Sequence, residues 1–80
     1  MKRVSILYYA ILREQRGLSE EAVDTAADTA ADLYRDMASR HGFTLDLERL
    51  RVVVNESFAP WDSALADGDT VVFIPPVAGG

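Results

Sequence analysis

Eighty residues, 49% hydrophobic and 26% charged, suit one domain with a real core and argue against disorder or a second domain. A net charge of −5 opposes non-specific nucleic-acid binding, which needs lysine and arginine against phosphate. The chain has no cysteine, so neither a disulfide framework nor a thiol nucleophile can operate, and no apolar run approaches the roughly 18 residues of a membrane span.

The first predicted element is a strand over 3–9, where Val4, Ile6 and Tyr8 share one face at period 2. This alternation begins almost at Met1, without a long apolar signal region, so the expected location is cytoplasmic. A short helix over 10–16 follows, stopped by Gly17. Residues 20–25 read as a weaker strand, since Ala22 and Val23 give little periodicity.

The main helix starts at Thr29, an N-cap whose hydroxyl is expected to accept from the N–H of Asp32, with Thr25 as a competing cap. Leu33, Tyr34, Met37 and Ala38 fall on one helical face. Arg40 and His41 suit the negative end of the dipole, and Gly42 is the predicted stop. The tetrapeptide at 25–28 recurs at 29–32 but is too short for a structural repeat. Two further strands are predicted over 52–58 and 70–75, with Asp67-Gly68-Asp69 as the turn before the last.

Strands on both sides of one principal helix predict an α+β fold, a mixed sheet packed on that helix with the terminal strands central. That is the β-grasp, ubiquitin-like plan; an α/β-plait is the rival. The expected division is a domain over 1–75 and a flexible Gly-Gly tail over 76–80.

The C-terminus carries the chemistry. Pro75 and Pro76 end the hydrogen-bonded ladder, and the side chains then shrink through Val77 and Ala78 to Gly79 and Gly80. Such a segment fits a narrow channel, and its glycines permit close backbone approach. With glycine near 7% of residues, a terminal pair arises by chance in roughly 0.5% of chains. A carboxylate is a poor electrophile, so the chemistry that suits this terminus is acyl activation. ATP would convert it to an acyl-adenylate, and a persulfide sulfur would displace AMP to leave a thiocarboxylate. The chain supplies the reacting group and the arm; the activating residues must come from a partner.

Several features together resemble the molybdopterin synthase small-subunit family. They are Val54-Asn55-Glu56-Ser57-Phe58, Trp61-Asp62, Leu65, Asp67-Gly68-Asp69, Val71, and the run from Phe73 to Gly80. Tyr8-Tyr9-Ala10 with Arg13-Glu14 fits the same family's first strand and short helix. The resemblance is specific in the C-terminal third and weak across 17–50. It implies a β-grasp whose last glycine is adenylated by an ATP-dependent E1-like enzyme, then thiocarboxylated with sulfur from a donor such as a cysteine desulfurase or rhodanese.

By the same resemblance, the tail enters the large subunit of molybdopterin synthase, in a heterotetramer with two of each subunit. There it gives sulfur to cyclic pyranopterin monophosphate. Gly80 would carry the sulfur, Gly79 would permit its approach, and Pro75, Pro76, Val77 and Ala78 would lie along the partner. Tyr9, Phe58 and Ile74 would form an apolar docking patch, a place in the core being the alternative for each and Phe58 the most exposed, while Trp61 packs over the core edge. No bound cofactor, metal, nucleic acid or membrane is implied, and no activity is expected of the chain alone.

His41 reads as a residue compensating the helix dipole, not as part of a hydrolase triad. Asp24, Asp28, Asp32 and Asp36 read as a solvated face, with steering of a basic partner as the alternative role. Two alternatives stand beside the first reading: a thiamin-pathway (thiazole) sulfur carrier, and a ubiquitin-like modifier joined to lysines of other proteins.

Overall fold

Val4, Ile6 and Tyr8 decide the centre of the fold. The computed structural model describes residues 1–76, and all three side chains are buried on one face of β1 (Lys2–Tyr8). The chain continues as α1 (Ala10–Arg16), β2 (Glu20–Thr25), α2 (Ala30–His41), a 3-10 turn (Leu47–Arg49), β3 (Arg51–Val54), β4 (Ser57–Ala59) and β5 (Thr70–Ile74). The five strands form one sheet in the order β2-β1-β5-β3-β4. β1 and β5 run parallel, with Ser5 opposite Thr70 and Tyr8 opposite Phe73; the other pairs are antiparallel. The terminal strands are thus interior neighbours in a mixed sheet, the β-grasp plan expected from the element order.

α2 forms where its caps put it. Thr29 Oγ1 accepts from the Asp32 N–H at 3.2 Å, and Gly42 closes the helix at φ 71°. Two N–H groups that the first helical turn leaves unpaired are met by the loop after β4: Ala30 donates to Ser63 O and Ala31 to Trp61 O. Leu33, Tyr34 and Met37 enter the core against Ile6, Val71 and Phe73, while Ala38 is only partly buried. Tyr34 meets Phe73 edge-on at 5.1 Å, and Trp61 stacks over Phe73 at 6.1 Å. Thr25, the competing cap, ends β2 instead; its hydroxyl accepts from the Ala27 N–H.

One predicted strand divides in two. Residues 52–58 form β3 and β4, joined at Asn55-Glu56 with φ of 50° and 73°. Both signs are those of a two-residue type I′ hairpin turn, whose twist matches its strands. Glutamate in place of the usual glycine hides that signal. Asn55 also fastens the hairpin to the Asp67-Gly68-Asp69 turn: its Oδ1 accepts from the Thr70 N–H, and its Nδ2 donates to Asp69 Oδ1 at 2.8 Å. The first strand begins and ends one residue earlier than predicted, so Tyr9 is the extended residue ahead of α1. Pro75, which brings no N–H to a ladder, lies just past β5.

Candidate docking face and tail exit

Alternation places two kinds of surface on the sheet. With Tyr8, Val71, Phe73 and Val52 buried beneath the helices, the off-phase residues turn to the opposite face. The register sets Leu7 beside Val72, Val72 beside Val53 and Val53 beside Phe58, an apolar row across four strands. Leu7, Val53 and Val72 are half-buried, whereas Phe58 is 69% exposed on the short edge strand β4. Ile74 lies on the same face one alternation further along β5. Because β1 and β5 are parallel, Tyr9 continues β1 beyond the Tyr8–Phe73 pair at the same end of the sheet, 48% exposed.

At that end a groove of about 840 Å³ opens where the chain leaves β5. Phe58, Trp61, Ile74 and Pro76 give it apolar walls, and Arg49 and Arg51 stand among its lining residues. The wall carrying Trp61 is held by the 61–65 loop: besides its bonds to α2, Leu65 donates to Asp28 O and Ala64 bridges to Thr29. Among the described residues, Arg49 and Arg51 form no ion pair, unlike Lys2, Arg3, Arg16, Arg35 and Arg40. Among the described residues, then, the groove at the start of the tail combines apolar walls with two arginines free of ion pairs and one carboxylate, Glu48.

A polar cluster fixes the neighbouring edge. Arg16 grips Glu21 with Nε to Oε2 at 2.7 Å and Nη2 to Oε1 at 2.8 Å, and Tyr8 Oη donates to Oε2 at 2.7 Å. The Arg16 hydrogen bonds hold the Glu21 carboxyl below its usual range, overriding the opposing effect of burial. Burial, reinforced by the Glu21 bond, pushes the Tyr8 hydroxyl well above its ordinary value. Tyr34 is raised by burial and then by the Asp46 charge, and its hydroxyl donates to Leu45 O at 2.6 Å. These bonds tie α1 and β2 to β1 and so place Tyr9, the residue between Tyr8 and α1.

The structure brings Phe58, Ile74, Pro75 and Pro76 to one groove, with Pro75 buried and Pro76 exposed. Tyr9 shares their end of the sheet but does not line the groove. Val77, Ala78, Gly79 and Gly80 lie outside the described residues. Leu7, Val53, Val72, Arg49 and Arg51 are additions to the residues expected from sequence. Off-phase valines in β3 and β5, and arginine at the head of an apolar strand, were the available signals. Among the described residues no three histidine, cysteine or acidic side chains gather as a metal would require, and no helix is long and apolar enough to cross a membrane. His41 sits half-buried in the last turn of α2, its ring 6.0 Å from that of Phe43.

Known proteins share both the sequence and this architecture. The molybdopterin synthase sulfur carrier subunit of Escherichia coli is 37% identical, the alignment covering 96% of this chain and 99% of that one. A Pyrococcus furiosus structure described as molybdopterin converting factor, subunit 1, superposes with a TM-score of 0.78 at 28% identity, over 96% of this chain and all of the other. Small archaeal modifier protein 1 of Haloferax volcanii gives a TM-score of 0.78 at 25% identity, again over 96% of this chain and all of that one. A model described as the ThiS family matches residues 6–80, through both terminal glycines, and the chain belongs to that family.

Proposed function

We propose that this chain is the sulfur-carrier subunit of a molybdopterin synthase, with the Gly80 carboxyl as its reacting group. The likeness to the Escherichia coli subunit carries the reading, because it spans nearly the whole of both chains. In this reading an E1-like partner directs the Gly80 carboxylate onto the α-phosphorus of ATP, and pyrophosphate leaves. A persulfide sulfur on a donor, such as a cysteine desulfurase or rhodanese, attacks the acyl carbon and expels AMP. A thiol then cleaves the resulting acyl disulfide to the thiocarboxylate. Inside the large subunit, that sulfur passes to cyclic pyranopterin monophosphate, and hydrolysis restores the carboxylate.

The chain's own part is mechanical. Pro75 and Pro76 carry the arm away from the ladder, and the apolar row with Phe58 and Ile74 docks the partner that encloses the arm. A heterotetramer with two of each subunit presents two such arms. The work is cytoplasmic, and the chain alone turns over nothing.

The test follows the tail by intact mass. Chemically thiocarboxylated protein is mixed with a molybdopterin synthase large subunit, with and without cyclic pyranopterin monophosphate. Sulfur lost only when both are present, with molybdopterin formed, is the expected result. A tail that keeps its sulfur with several competent large subunits refutes the reading and favours the thiazole carrier. The likeness to small archaeal modifier protein 1 supports a second reading, attachment to lysines of other proteins. Its mark would be higher-mass conjugates of the chain in its native cell.

A further inference from the structure

An activated acyl terminus reacts with any unhindered amine within reach, and a protein surface ordinarily offers many. This chain has a single lysine, Lys2, against seven arginines. A guanidinium stays protonated and is no acyl acceptor under conditions where an amine is. Lys2 is also committed: its Nζ donates to Ala27 O at 3.0 Å and lies 3.7 Å from the Asp28 carboxylate. Its side chain is 28% exposed.

Topology then sets it far from the tail. Lys2 opens β1, and Tyr8 at the other end of that strand is level with Phe73 near the end of the parallel β5. Seven strand steps, about 23 Å, separate the level of Lys2 from that of Ile74. Pro76 lines the groove beside Arg51, which pairs with Ile74, so the arm starts from the far end of the sheet. The four residues after Pro76 span at most about 14 Å when fully extended. Ala27 follows β2, which runs antiparallel to β1 and ends opposite Lys2, so the ammonium is anchored beyond the end of the strand, away from the groove.

We infer that the fold denies its own activated terminus a lysine acceptor: Lys2, the only side-chain amine, is held at the opposite end of the sheet, out of the tail's reach, so the Gly80 acyl group does not cyclise through it. The Lys2 ammonium is engaged by Ala27 O and Asp28, so copies are not linked through it. Acyl transfer then goes to the nucleophile that a partner presents. Where the chain is joined to another protein, it is joined as a single unit and not as a lysine-linked polymer. The inference rests on the reading of Gly80 as an activated carboxyl. In the step denied, a C–N bond would form at the Gly80 carbonyl, the bond to the leaving group would break, and the amine proton would pass to water.

The experiment uses the full chain with a chemically installed C-terminal thioester, which needs no activating enzyme and is read separately from the sulfur-transfer assay. Incubated alone at mildly alkaline pH, the wild type should release its thiol by hydrolysis to the free acid and should form neither a cyclic amide nor lysine-linked dimers. Lys2→Arg should behave identically. Arg51→Lys, which puts an amine beside the tail exit, should cyclise on the order of tenfold or more faster than the wild type, through a raised effective concentration. Added glycinamide must consume the thioester in all three proteins, and peptide mapping separates products at Lys2 from those at the Met1 amine. Wild-type cyclisation or dimerisation through Lys2 at the Arg51→Lys rate would overturn the inference. So would an Arg51→Lys protein as inert as the wild type, since lysine placement would then decide nothing.

Discussion

Glu21→Gln isolates the Arg16–Glu21–Tyr8 cluster. The substitution keeps the shape and an oxygen acceptor but removes the charge that makes both Arg16 bonds charge-assisted. Arg16 and Glu21 are only 24% and 14% exposed, so solvent screens this pair less than a surface ion pair. Hydrogen bonds to charged groups contribute about 1.5–3 kcal/mol, and part of each survives with a neutral amide. A loss of about 1–3 kcal/mol is expected, which for a domain of this size lowers Tm by roughly 4–8 °C per kcal/mol. Thermal and urea unfolding at pH 7 measure it directly.

The pH dependence supplies the sharper test. Glu21 titrates below its ordinary value of 4.5 in the folded state, so on acidification the unfolded chain takes up the proton first. The pair's contribution is complete above that value and is lost as pH falls through the lowered folded pKa. Wild-type stability should therefore drop more steeply than that of Glu21→Gln below about pH 4.5, and the two curves should converge in acid. Parallel curves from pH 7 to pH 3, or a difference at pH 7 under about 0.5 kcal/mol, would refute the assignment of stability to this ion pair.

Three further outcomes are expected. Phe58→Ala should leave Tm within a degree or two, since the ring is 69% exposed, yet weaken binding to a molybdopterin synthase large subunit about 10- to 100-fold by calorimetry. Glu56→Gly should raise stability by roughly 0.5–1 kcal/mol in urea, because a residue with a Cβ at φ 73° is strained and glycine is not. Deleting Gly80 should preserve cooperative unfolding, as the described core closes at Phe73 and Pro75, while abolishing sulfur transfer in the mass assay.

What the sequence made legible follows from where each signal is stored. Thr29 and Gly42 act on their own helix, so local chemistry predicts both ends of α2. Residues 20–25 have poor periodicity because β2 is a sheet edge, held by its ladder to β1 and by Glu21, yet it spans Glu20–Thr25 as expected. The hairpin at Asn55-Glu56 escaped because its partners are distant: Asp69 and the Thr70 backbone stabilise Asn55 from the other side of the chain. Tertiary bonds there override what glutamate would signal alone.

The same division explains the candidate site. In the proposed reading the terminus announces itself, because Gly79 and Gly80 would act by lacking side chains. A docking face announces little: Val53 and Val72 look like core valines until β5 is set between β1 and β3. Only the register distinguishes Val72 from its buried neighbours Val71 and Phe73. Arg49 and Arg51 likewise gain meaning from context, since among the described residues they form no ion pair while most basic side chains do. For a carrier this is the expected arrangement: the reactive group travels to its enzymes at the end of the chain, and the fold's task is to aim it, through residues that act by position more than by type.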